Sequence, residues 1–93
     1  MIRTFKCKET ERIFARERSR AFPQSIQQVA LRKLRMLNRA VSFQDLRIPP
    51  ANRLEKLYRD RAGQYSIRIN DQWRICFRWQ DGDTYDVEIV DYH

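Results

Sequence analysis

The chain has 93 residues, of which 42% are hydrophobic, 33% charged and 12% aromatic, a composition that points to one soluble folded domain over residues 1–93. Its net charge of +7 resides in residues 1–50, where 12 Lys and Arg stand against 4 Asp and Glu, whereas residues 79–93 hold 5 acidic side chains and no basic one. A basic body of this kind suits a polyphosphate or an acidic protein as partner, because counterion release and long-range steering both favour contact; a basic surface kept for solubility has the same composition.

Several classes are excluded. Arg3, Lys6, Lys8 and Glu9 break up the first ten residues, so no apolar export segment follows the start. No run approaches the roughly 18 apolar residues of a membrane span, and the expectation is a cytoplasmic protein without membrane contact. Cys7 and Cys76 lie far apart and, with His93 the one histidine, do not complete a four-ligand zinc site, so reduced thiols and no metal are expected. With Gly63 and Gly82 the only glycines and no P-loop, GxGxxG, HExxH or GxSxG, no cofactor is expected either.

In chain order, Ile2 to Lys6 alternates loosely and reads as a short edge strand. A first helix is expected from about Glu9 to Arg18, with Ile13 and Phe14 on its packed side. Pro23 opens a longer helix reaching Ala40, in which Ile26, Ala30, Leu34 and Leu37 form an apolar stripe. Arg32, Lys33, Arg35 and Arg39 are assigned to the opposite, solvated face. Ser42 to Pro50 reads as a connector ending in Pro49-Pro50. Phe5, Phe14, Phe22, Trp73, Phe77 and Trp79 are the aromatic candidates for the core.

Beyond the connector the period changes to two. Tyr65, Ile67 and Ile69, then Trp73, Ile75, Phe77 and Trp79, then Tyr85, Val87 and Ile89 predict three antiparallel strands with one apolar face, joined at Asn70-Asp71 and Asp81-Gly82. The fold class is therefore α+β: two N-terminal helices packed on one face of an antiparallel sheet. Helices committed to a core in this way leave no helix-turn-helix reading.

Residues paired across an antiparallel ladder share a face, so Ile69 opposite Trp73 places Arg68 opposite Arg74 and Ser66 opposite Cys76. Trp79 opposite Tyr85 would likewise place Arg78 opposite Asp86 and Arg74 opposite Val90. Like charges directly opposite one another are destabilising unless an anion lies between them, which makes Arg68 and Arg74 the sharpest site signal in the residues alone. Arg74 is the candidate for neutralising charge on a phosphate, because its fork engages two oxygens and stays protonated. Asp91, Tyr92 and His93 set a carboxylate, a phenol and an imidazole beyond the last strand, His93 being the natural proton carrier near neutrality. Arg53, Lys56, Arg59 and Arg61 form a basic run, either a phosphate track together with Arg68 or an edge strand protected by charge.

The residues also resemble the HigB toxins, the plasmid maintenance killer proteins of the RelE/ParE-like superfamily. The resemblance runs from Ile2-Arg3 and Lys8-Glu9-Thr10-Glu11, through Ala30 to Leu34, Pro49-Pro50 and Asn52-Arg53-Leu54, to its strongest block at Gly63 to Phe77 and the closing Glu88 to His93. It implies a RelE-like fold and a toxin of a type II toxin–antitoxin system, a ribosome-dependent, metal-independent endoribonuclease that cleaves mRNA and so inhibits translation. It further implies a HigA-like antitoxin whose helix-turn-helix domain contacts operator DNA. The family's catalytic arginine matches Arg74, and its terminal Asp-Tyr-His matches Asp91, Tyr92 and His93. Some relatives carry His where this chain has Glu55, and Lys-Gly where it has Tyr58-Arg59, which leaves the general base unassigned. A ParE-like gyrase inhibitor and a non-catalytic RNA- or antitoxin-binding module are the alternatives.

Overall fold

The computed structural model describes residues 1–92. Helix α1 spans Lys8–Phe14, with Glu9 and Glu11 in its first turn, where they complement the helix dipole. It ends four residues before the expected Arg18. Arg16 adopts φ +65°, its N–H donates to the carbonyl of Ile13 at 3.0 Å, and the Glu17 N–H donates to Arg12 at 2.8 Å, a Schellman stop that glycine usually supplies.

Helix α2 spans Gln24–Arg39 behind Pro23, and Ile26, Ala30, Leu34 and Leu37 lie buried as expected. Its Gln27 side chain bonds the backbone of Ser19 and Phe22, so the α1–α2 connection is tied down without regular structure. Lys33 departs from the solvated face assigned to it. It is buried, because its position lies between Ala30 and Leu37 on the core-facing side, and a long stem lets its ammonium reach the buried side chain of Asn52. The Ser42–Pro50 connector contains a further helix, α3 at Phe43–Arg47, started by a Ser42/Asp45 capping box. The amides of Val41 and Ser42 both donate to Asp45, which holds its carboxyl below the usual carboxylate range. Phe43 sets α3 against Tyr65 and Trp79, with ring centroids 4.7 and 5.9 Å away.

The sheet has four antiparallel strands in sequential order: β1 Glu55–Lys56, β2 Tyr65–Arg68, β3 Trp73–Gln80 and β4 Asp83–Asp91. The edge strand in the basic run is thus real, and short. Arg68 opposes Arg74 and Ser66 opposes Cys76, as the alternation predicts, with Asn70 Oδ1 closing the turn by accepting from the amides of Gln72 and Trp73. The second hairpin is corrected near its turn: Trp79 opposes Thr84 and Arg78 opposes Tyr85. A bulge at Asp86, φ +53°, absorbs one residue, so that Cys76 meets Glu88 and Arg74 meets Val90 in the expected register below it. Arg78 still pairs with Asp86, 3.3 Å apart.

Ile67, Ile69, Ile75, Phe77, Val87 and Ile89 meet the helices in one core with Ile13, Ile26, Leu34, Leu37 and Leu46. Of the expected core aromatics Phe77 alone is fully buried; Phe5, Phe14, Phe22, Trp73 and Trp79 are half-buried around its rim, since a sheet and helices this short leave large rings at the margin. Ile2 and Phe5 bridge β4 in parallel at Thr84 and Val87, covering the strand's free edge. Thr10 completes that seal: its fully buried hydroxyl accepts the Ile89 N–H at 3.0 Å. Thr10→Val, nearly isosteric, strands this amide and should cost about 1–3 kcal/mol. Urea unfolding should show a lower midpoint at an unchanged slope; an unmoved midpoint would mean that the amide finds another partner.

Candidate active site

The sheet face turned away from α1 and α2 carries Ser66 and Arg68 from β2, Arg74 and Cys76 from β3, and Glu88 and Val90 from β4. Arg74 is 8% exposed and held by hydrogen bonds at two of its three guanidinium nitrogens. Its Nε donates to Ser66 Oγ at 2.7 Å, and its Nη2 to the carbonyls of Arg53 at 2.5 Å and Ser66 at 3.3 Å. Its Nη1 points at Glu55 Oε1, 3.8 Å away, and the Glu55 side chain is 56% exposed. The side chain thus crosses β2 toward β1 and presents one edge of its fork, beside a carboxylate, at the surface.

Arg68 meets the like-charge problem with a carboxylate of its own. It turns away from Arg74 to pair with Asp71, three residues on, while Arg74 lies over Ser66. The two cations share a cross-strand position but not a direction.

Tyr92 lies over Cys76. Its N–H donates to the carbonyl of Gln72 at 2.5 Å, and its phenol meets the Cys76 thiol. Burial pushes both groups above their ordinary values, the phenol further raised by the thiol, while Arg61 and Arg74 nearby act in the opposite direction. Asp91 opposes Trp73 at the end of β4 and accepts from Gln72 Nε2 at 3.2 Å. Arg61 engages Gln64 and Glu88 at 3.1 and 3.4 Å. Arg53, Lys56 and Arg59 are exposed along the β1 side. His93, expected to carry a proton, lies outside the described residues.

Arg74, Tyr92 and the Arg53–Arg59 run therefore meet around one face. The sequence reading missed two residues that shape it. Ser66 was placed on the correct face by the register without its bond to Arg74 being foreseen, and Glu55 registered only as a departure from relatives. An arginine gripped by three fixed acceptors is already oriented for an anion, and an exposed carboxylate beside it can accept a proton from whatever that anion carries.

The YoeB-YefM complex from Staphylococcus aureus is similar in fold, with a TM-score of 0.55 over 100% of this chain and 95% of that one, at 21% identity. The chain belongs to the HigB family: residues 3–93 match the model described as RelE-like toxin of type II toxin-antitoxin system HigB. It is 43% identical over 83 residues to Toxin HigB-1 of Vibrio cholerae, covering 88% of this chain and 87% of that protein. It is 31% identical over 94 residues to Endoribonuclease HigB of Proteus vulgaris, with both chains covered in full. An antitoxin partner follows from the family.

Proposed function

We propose that this toxin is a metal-independent endoribonuclease that cuts messenger RNA on the ribosome, with Arg74 as the group that stabilises charge on the scissile phosphate. The observation that carries this reading is the fixed Arg74 guanidinium with Nη1 directed at exposed Glu55. Cleavage by the 2′-hydroxyl needs a base, an acid and a cation at phosphorus. Glu55 accepts the 2′-hydroxyl proton as the 2′-oxygen bonds to phosphorus. Arg74 neutralises the phosphorane-like charge. His93 gives a proton to the 5′-oxygen as its bond to phosphorus breaks, leaving a 2′,3′-cyclic phosphate. Tyr92 stacks on or hydrogen-bonds to the substrate, and Asp91 orients the segment that carries Tyr92 and His93.

Arg53, Lys56 and Arg59, with Arg61 and Arg68 behind them, form the basic track for the RNA backbone. The ribosome supplies in-line geometry for the attacking oxygen, which places the protein in the cytoplasm. A HigA-like antitoxin with a helix-turn-helix domain neutralises it and makes the only contact with operator DNA. Among the described residues, no helix is long and apolar enough to cross a membrane.

The test adds the purified toxin to translating ribosomes and maps mRNA ends. Discrete cuts ending in cyclic phosphate are expected. Because Arg74 does at phosphorus what a metal ion would otherwise do, cutting should persist in excess chelator when polyamines keep the ribosomes assembled. Recovery only with one added divalent metal would overturn the metal-independent mechanism, and intact mRNA together with inhibited gyrase would overturn the ribonuclease reading.

A further inference from the structure

Lys33 is 5% exposed, yet the partner that its ammonium meets is a neutral amide: Nζ donates to Asn52 Oδ1 at 2.5 Å. Burying an ammonium without a counter-charge is unfavourable, and Arg32 and Arg68 add repulsion; burial first, then these two cations, lowers the group below its ordinary value. A methionine or leucine on the same stripe would pack at less cost, so stability alone does not account for lysine here.

Asn52 is fully buried and uses its whole side chain. Besides accepting from Lys33, its Nδ2 donates to the Leu46 carbonyl and to Met36 Sδ, both at 3.1 Å. These bonds fix the 3-10 turn Pro50–Asn52, and the next residue, Arg53, is held at φ +43°, ψ +56°, a left-handed conformation that a side chain disfavours. The strained residue's carbonyl is the one that accepts Arg74 Nη2 at 2.5 Å. The path from α2 to the guanidinium is thus three links long: Lys33 holds Asn52, Asn52 holds the turn, and the turn aims the Arg53 carbonyl.

We infer that Lys33 and Asn52 are positioning residues for Arg74, a buried strut that sets the guanidinium through the Arg53 carbonyl. This rests on the ribonuclease reading above for its rate consequence, but not for its geometry. Displacement of a reacting group by about 1 Å is enough to lose as much as 10²-fold in rate, and a residue acting through position changes turnover more than substrate affinity.

The test uses Lys33→Met, which keeps the stem and removes the donor, with Lys33→Arg as the conservative partner. Two quantities are read on the purified toxin. One is the set of Arg74 Nη resonances in 15N-labelled protein, which stay resolved only while rotation about the Nε–Cζ bond is restrained. The other is single-turnover mRNA cleavage on ribosomes. Lys33→Met should merge the Nη signals and slow cleavage about 10-fold or more, with the half-saturating ribosome concentration unchanged within about twofold; Lys33→Arg should restore both. If Lys33→Met does not fold, Asn52→Ala takes its place with the same expectations. Unchanged Nη signals, or a rate loss no larger than the loss of folded protein, overturns the strut. Failure of the wild-type toxin to cut any RNA would instead sink the ribonuclease reading, and the Nη signals would still decide the strut.

Discussion

Arg74→Ala should slow mRNA cleavage by about 10²–10³-fold, the loss expected for one preorganised group that stabilises transition-state charge. The same change should not be silent in folding. Judged as a solvated strand arginine facing Arg68, its removal would leave stability intact or slightly improved. In the folded protein it leaves Ser66 Oγ and the Arg53 carbonyl without their donor, a loss of about 1–3 kcal/mol. Rate and stability are therefore measured on the same preparation, with cleavage assayed well below the unfolding temperature. Arg74→Lys keeps the charge but not the fork and should fall between the two. Arg68→Ala, whose partner Asp71 is exposed, should barely move stability and should weaken ribosome binding more than turnover. Normal cutting by folded Arg74→Ala would remove this residue from the chemistry.

Glu55→Gln should slow cleavage by about 10²-fold, the lower end of what a positioned general base contributes. Its carboxylate is 3.8 Å from Arg74 Nη1 and more than half exposed, so loss of the ion pair itself should cost little stability. The discriminating readout is the single-turnover cleavage rate at saturating ribosomes. Glu55→His, which restores a proton acceptor at this position, should recover part of what Glu55→Gln loses. A Gln variant that cuts at the wild-type rate would mean that Glu55 serves only as a counter-ion to Arg74.

The outline of this molecule was legible because its core is written in two clean periods. The α2 stripe and the strand alternation specified which faces meet, and the short Asn70 turn carried the Arg68–Arg74 register through correctly. What escaped depended on single residues acting against their type. An arginine in the left-handed region ends α1 early, and α3 hides in a connector too short to show a helical period, its capping box being the one local sign. Asp86 inserts a bulge into an otherwise even alternation. Lys33 is the most instructive case: by composition it belongs with Arg32 and Arg35 on the wet face, and only its angular position beside Ala30 and Leu37 shows that it lies inside. The candidate site was half legible for the same reason. Arg74 followed from the register, but its grip by Ser66 and by the strained Arg53 turn is a matter of three-dimensional reach that no spacing encodes.

The parallel bridges of Ile2 and Phe5 to β4 also tie together parts of the chain more than eighty residues apart. The amides of Arg3 and Lys6 donate to the carbonyls of Thr84 and Val87, and the Thr10 hydroxyl accepts the Ile89 amide, so β4 is clasped along its outer edge. The same strand sets Val90 opposite Arg74. Loosening the clasp would bare a row of backbone groups able to pair with a foreign strand, and would slacken the backbone behind the charged face without touching any side chain on it.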